Sequence, residues 1–244
     1  MAEFRLGIQS WTFRNFKVLD ELIGFLNKAG VSYVELYPGG QLPHEKGEEI
    51  IIAGLDKLKK AGITLDSFGV CGFSLNEDAN RKIFEFAKIA GLKALSADID
   101  PEAINAVENL SKDYNIKLAI HNHGRAHRYG KIEQLQDIFK KTGRNIGLCL
   151  DTAWMLDAGG DPVEAAKMFG ERLYGVHLKD FTFSADGKPK DVVLGEGGLK
   201  LKEFFQTLES LNFNGYLSIE CEGEPENPLP QVIACVKKVR DVIG

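Results

Sequence analysis

Short apolar runs alternate with amphipathic segments from Leu6 onward, and the alternation repeats eight times along the 244-residue chain. Runs in which apolar and polar positions alternate with a period of two predict strands over residues 6–9, 33–36, 63–68, 93–97, 117–121, 145–150, 173–178 and 216–220. Between them, apolar residues recur with helical spacing, which predicts helices over 18–29, 48–61, 77–90, 101–115, 132–142, 162–169, 201–211 and 229–243. Gly30, Gly62, Gly91 and Gly143 follow helical patterns, where a residue that tolerates positive φ ends a helix at little cost. Asp161-Pro162 reads as an N-cap followed by proline at the first helical position.

Eight strand-helix units imply a parallel sheet, and closing eight of them gives a single-domain (β/α)8 barrel over residues 1–244. A doubly wound open sheet is the rival architecture. It would carry a glycine-rich nucleotide turn after the first strand, and this chain continues Gly7-Ile8-Gln9-Ser10-Trp11 there.

Barrels of this kind place chemistry at the carboxyl ends of their strands, so the parity of the polar residues there is informative. In Tyr174-Gly175-Val176-His177-Leu178-Lys179-Asp180, Val176 and Leu178 share one face while Gly175, His177 and Lys179 share the other. The same logic sets His121 and His123 against Leu118 and Ile120, Asp151 against Leu148 and Leu150, Glu220 against Leu217 and Ile219, and presents Glu35 on the second strand. Charged groups turned into a barrel mouth need partners, and one divalent ion satisfies several of them together. His121, Asp151, His177 and Glu220 form a nitrogen and oxygen set that suits manganese, zinc, cobalt, iron or magnesium better than calcium. A metal-free polar cluster built on an Asp151–His177 pair is the alternative.

The remaining composition narrows the partners. A net charge of −5 and a pI near 5.6 disfavour a nucleic-acid partner. No apolar run approaches the length of a membrane span, and Met1-Ala2-Glu3-Phe4-Arg5-Leu6 shows no secretory signal. Cys71, Cys149, Cys221 and Cys235 lie far apart without CxxC spacing, as expected of reduced, buried thiols in a cytoplasmic protein. A homo-oligomer is compatible with all of this.

Taken in order, Gly7-Ile8-Gln9-Ser10-Trp11-Thr12-Phe13, Val34-Glu35-Leu36, His121-Asn122-His123, Leu150-Asp151-Thr152-Ala153-Trp154, Gly175-Val176-His177-Leu178-Lys179-Asp180, Leu194-Gly195-Glu196-Gly197 and Ser218-Ile219-Glu220 span nearly the whole chain. This series resembles the xylose-isomerase-like TIM barrels, the superfamily of sugar isomerases and epimerases that also holds endonuclease IV and inosose dehydratase. In its ketose epimerases a metal is held by Glu, Asp, His and Glu from strands five to eight, and the last three map onto Asp151, His177 and Glu220. The chain departs from that pattern in two places. His121 stands at the strand-five ligand position, and the frequent Asp-Thr-x-His reads Asp151-Thr152-Ala153-Trp154. Histidine at strand five resembles the inosose-dehydratase-like branch more closely.

The resemblance implies a divalent-metal-dependent sugar isomerase or epimerase that moves a proton beside a sugar carbonyl through an enediolate-type intermediate. Glu220 would be base as well as ligand, and in an elimination His123 or Lys179 would protonate the leaving oxygen. Gln9, Trp11, Glu35, Arg125 and Trp154 would touch the sugar, with Phe13 and Phe68 as further aromatic candidates. Loss of a β-substituent in a lyase or dehydratase is the alternative outcome. A non-catalytic sugar-binding barrel and an abasic-site nuclease are further readings, the last disfavoured by five histidines and the acidic balance. Gly195-Glu196-Gly197-Gly198 offers weak support for a phosphate cradle, since Glu196 would repel the anion.

Overall fold

Eight of the apolar runs become parallel staves of a barrel in the computed structural model, which describes residues 4–244. The strands are β1 (Leu6–Gln9), β2 (Tyr33–Leu36), β3 (Thr64–Phe68), β4 (Cys71–Phe73), β5 (Ala94–Ile99), β6 (Lys117–His121), β7 (Ile146–Asp151), β8 (Leu173–Leu178), β9 (Asp180–Phe183), β10 (Pro189–Val192) and β11 (Tyr216–Ile219). The helices are α1 (Leu19–Ala29), α2 (Glu48–Lys60), α3 (Glu77–Ile89), α4 (Ile104–Tyr114), α5 (Ile132–Lys141), α6 (Thr152–Asp157), α7 (Pro162–Phe169), α8 (Leu201–Ser210) and α9 (Leu229–Ile243).

The main sheet runs β3-β2-β1-β11-β8-β7-β6-β5-β4, and its paired neighbours are all parallel. Its two ends, β3 and β4, are consecutive parts of one stave interrupted at Gly69-Val70. The sheet therefore curls round on itself as a (β/α)8 barrel, and the open-sheet alternative is excluded. Residues of one parity, such as Val176 and Leu178, pack outward against the helices in the main apolar core. The opposite parity fills the barrel itself. There a smaller cluster of Ala94, Ala119, Cys149, Tyr174 and Tyr216 packs together. Gly175 is needed beside it, because a Cβ would lie 1.9 Å from Tyr216 Cζ.

Two local expectations are corrected, and one short helix is added. Gly30, Gly62 and Gly91 take positive φ of 71°, 74° and 69°, but Gly143 does not. Extended Thr142 ends α5 instead, and the Gly143 N–H donates to Glu108 Oε1 at 2.9 Å. The segment after β8, where alternation predicts no strand, holds the antiparallel hairpin β9–β10. Short α6 follows β7 directly, since Asp151 accepts from Trp154 N at 2.8 Å and so caps a helix at the strand's own end. Asp161 caps α7 as expected, with Pro162 in its first turn. All four cysteines are free and buried. Among the described residues no helix is long and apolar enough to cross a membrane. Met1, Ala2 and Glu3, the start of the segment read for a leader, lie outside the described residues.

Candidate functional site

Strand register brings the carboxyl-end polar residues together. Asp151 on β7 lies opposite His177 on β8, which lies opposite Ser218 on β11, and Glu220 follows one residue past the end of that strand. His121 closes β6. One ligand atom from each of His121, Asp151, His177 and Glu220 can be chosen so that all four lie within 4.8 Å of one another, and all four residues are buried.

The hydrogen bonding leaves their lone pairs pointed at a common centre. Asp151 Oδ1 is taken by Trp154 N, while Oδ2 has no hydrogen-bond partner. His177 Nε2 meets Glu35 Oε2 at 2.9 Å, while Nδ1 is unpartnered, as are both ring nitrogens of His121. His121 Nε2 and Asp151 Oδ2 stand 3.4 Å apart without hydrogen-bond geometry, and so do His177 Nδ1 and Glu220 Oε2. Buried polar atoms left this way cost free energy, and a cation coordinated by two imidazoles and two carboxylates removes that cost. The donor set thus fits a divalent ion of the zinc or manganese kind.

A supporting ring fixes these groups. Glu35, fully buried, bridges His177 on one oxygen and accepts from Ser96 Oγ on the other. Asn122 clips β6 to β7 through Nδ2 to Asp151 O at 3.0 Å and Asp151 N to Oδ1 at 2.9 Å. Lys179, 1 % exposed, places Nζ 2.9 Å from Glu222, 3.3 Å from Glu220 and 3.9 Å from Asp151. Burial alone would disfavour its charge. The three carboxylates outweigh burial and hold the ammonium well above the ordinary lysine range. Burial would likewise raise the Glu220 carboxyl, but Lys179 and His177 keep it well below the ordinary range, so it is ionised.

Above the donors opens a cavity of about 400 Å³. Gln9, Trp11, His123, Trp154 and Glu220 line it, together with Glu222, Tyr37 and Val70. Trp11 is 39 % exposed, stands edge-on to Tyr37 with centroids 5.1 Å apart, and donates Nε1–H to Glu222 Oε1 at 3.1 Å. Trp154 packs on His123 at 4.9 Å and edge-on to Phe181 at 5.0 Å. Desolvation and the neighbouring His121 push His123 down to about 4, so its imidazole is neutral.

Several expected contacts fall elsewhere. Glu35 lies beneath the metal-ligand candidates and does not line the cavity, because His177 and Ser96 occupy its carboxylate. Arg125 is drawn to Asp157 at 2.7 Å and to Gly187 O at 3.0 Å, away from the cavity wall. Phe13 and Phe68 are fully buried core residues. Gly195 N, Gly197 N and Leu199 N each donate to the Asp180 carboxylate at 2.9 Å, which uses the amides a phosphate cradle would need. Glu222, Asn122 and Ser96 were not singled out. The run Glu220-Cys221-Glu222 carried a signal for Glu222, since it repeats the inward parity two residues on.

Comparison with known proteins agrees with this fold. The chain is 25% identical over 223 residues to an inosose dehydratase of Clostridium perfringens, covering 82% of this chain and 72% of that one. A protein of Parabacteroides distasonis without assigned function superposes with a TM-score of 0.76 at 25% identity, covering 99% of both chains. The IOLI protein, solved with a bound zinc atom, superposes with a TM-score of 0.78 at 17% identity, covering 98% of both. Residues 101–239, which carry β6, β7, β8 and β11 with all four convergent donors, match the model of the xylose isomerase-like TIM barrels, and the chain belongs to that family.

Proposed function

We propose that this protein is a metal-dependent lyase that dehydrates a keto-sugar or a cyclic polyol ketone by proton abstraction beside the carbonyl. The observation that carries the reading is the convergence of four buried, under-bonded donors on the floor of a cavity walled by Trp11 and Trp154. His121, Asp151, His177 and Glu220 would hold the ion. When bound, a divalent ion supplies Lewis-acid polarisation of a carbonyl oxygen.

The chain's own groups account for the proton traffic. Ionised Glu220 lines the cavity and accepts the carbon-bound proton beside the carbonyl. Lys179, expected as a donor, does not line the cavity and holds Glu220 from behind at 3.3 Å, so Glu220 itself passes the abstracted proton to the departing β-hydroxyl as the C–O bond breaks. The C–H electron pair becomes the new C=C bond, water leaves, and no oxidant or reductant is needed. Neutral His123 and the Gln9 amide orient the ring hydroxyls, while the two indoles pack on its C–H faces. The relatives named inosose dehydratase support elimination as the outcome.

Isomerisation or epimerisation is the second reading, favoured by the same proton abstraction. A two-base route would need an acid-base group on the opposite face of the substrate, where the strand-five position holds His121 as one of the four convergent donors.

Incubation of the zinc- or manganese-loaded protein with an inosose and with 3-keto sugars in heavy water tests both. A near-ultraviolet band from an unsaturated ketone is expected. Deuterium in recovered ketone without that band would replace elimination by isomerisation, and neither signal with any of these ketones would refute the proposal. Asp151→Ala is expected to lose bound metal on elemental analysis and with it the activity.

A further inference from the structure

We infer that the cavity selects an uncharged ring and discriminates against phosphorylated or carboxylated substrates. The inference rests on the cavity being the substrate site proposed above, and it names the chemical class admitted there. Among the described residues that line the cavity, two are carboxylates, Glu220 and Glu222, and none is arginine or lysine.

The described cations around the wall are engaged, Lys17 among them through the Tyr37 hydroxyl and Gly39 O. Lys179 lies behind the wall with its ammonium between Glu220 and Glu222. Arg125 is paired with Asp157 at 2.7 Å, and Arg128 with Asp98 at 2.6 Å and Asp100 at 3.1 Å. Arg14 rests on the Trp11 ring, 5.4 Å from its centroid, and donates to the carbonyls of Trp11 and Glu222. The amides of the glycine loop offer no substitute, since Gly195, Gly197 and Leu199 donate theirs to Asp180. A phosphate or carboxylate on the part of the ring remote from the metal would face Glu222 without a counter-charge, which burial makes costly.

The uncharged parts of the wall suit a polyol. Trp11, Tyr37 and Trp154 present aromatic surface to ring C–H groups, while Gln9, His123 and Glu222 offer hydrogen bonds to hydroxyls. A volume of about 400 Å³ accommodates one six-membered ring with its hydroxyls.

The chain has two tryptophans, Trp11 and Trp154, and both line the cavity, so intrinsic fluorescence reports occupancy without turnover. The zinc-loaded full chain would be titrated with glucose and an inosose as neutral ligands, and with glucose 6-phosphate and glucuronate as charged counterparts. The neutral ligands are expected to bind at least about tenfold more tightly than the charged ones, within a range reaching roughly 10 mM. A charged ligand that binds as tightly as its neutral parent, or unchanged emission with all four, overturns the inference.

Glu222→Lys, which puts a cation into the wall, is expected to bring glucose 6-phosphate to at least the affinity of glucose. Val70→Arg on the same cavity serves if that variant does not fold. Glucose 6-phosphate binding no better to either folded variant than to the parent protein would also count against the inference. Fluorescence binding of an inosose without deuterium uptake or an unsaturated product would retire the elimination chemistry and leave the selection rule standing. Turnover of phosphorylated ketones in preference to neutral ones would do the reverse.

Discussion

At the scale of single residues, the behaviour of the site turns on what each donor's second atom is doing. His177 can aim Nδ1 at the common centre because Glu35 takes Nε2, and Asp151 can aim Oδ2 because the Trp154 amide takes Oδ1. A ligand whose far side is hydrogen-bonded keeps its orientation and tautomer, and losing such a partner typically lowers metal affinity by about 10- to 100-fold. Glu35→Ala is therefore expected to weaken zinc binding by that factor in a competition titration with a chromophoric chelator. Glu35→Gln, which still accepts from His177 Nε2, should recover most of it. Equal affinity in Glu35→Ala and the parent would mean that barrel packing alone orients His177. Parity made Glu35 visible as an inward polar residue but assigned it to the substrate. Its true neighbour lies 142 positions away, and closure of the barrel brings the two together.

At the scale of elements, the β9–β10 hairpin depends on contacts that no local pattern announces. Asp191 on β10 accepts from the Glu222 amide and from Gln231 Nε2, tying the hairpin to the segment after β11 and to α9. Burial outweighs those bonds and pushes the Asp191 carboxyl up to about 6, above its ordinary 3.8. The folded state then holds this proton more tightly than the unfolded chain, so the associated stability is complete below about 3.8 and is lost as pH rises through about 6. Asp191→Asn removes the titration. The stability difference between variant and parent should shift by up to about 3 kcal/mol in the variant's favour from pH 3.5 to 7, read from urea melts at each pH. A pH-independent difference would place the Asp191 proton elsewhere. The hairpin escaped sequence reading because Asp180-Phe181-Thr182-Phe183 is short and its polar residues resemble a loop. Its pairing with Pro189-Lys190-Asp191-Val192 becomes visible only in the fold.

At the scale of the whole molecule, the barrel must be filled below the site, and one large ring does much of that work. Tyr216 sits in the cluster with Ala94, Ala119 and Cys149, and Gly175 yields the space its ring occupies. Gly175→Ala is expected to cost about 3 kcal/mol or more in chemical denaturation, because neither the strand nor the ring can retreat in a closed barrel. Adding Tyr216→Ala should recover part of that loss instead of adding to it, the non-additivity expected of residues that share one space. Independent, additive costs would show that the interior relaxes around the new methyl group.

The eight staves, the parity of their polar ends and the four convergent donors were legible in the chain, because strand alternation is a local property that a period of two carries unaided. Gly143 was misread as a helix terminator because the tie that holds its N–H comes from Glu108, 35 positions earlier. Arg125, expected beside the sugar, pairs with Asp157, 32 positions later. Glu222 joins the site through Lys179 and Trp11, which lie just past the ends of β8 and β1. What the amino-acid order determined by itself was which side chains point inward and at what height along each stave. Which inward groups pair with one another, and which stay free to receive an ion or a sugar, was decided only when the sheet closed, since those contacts join residues that chain spacing leaves far apart.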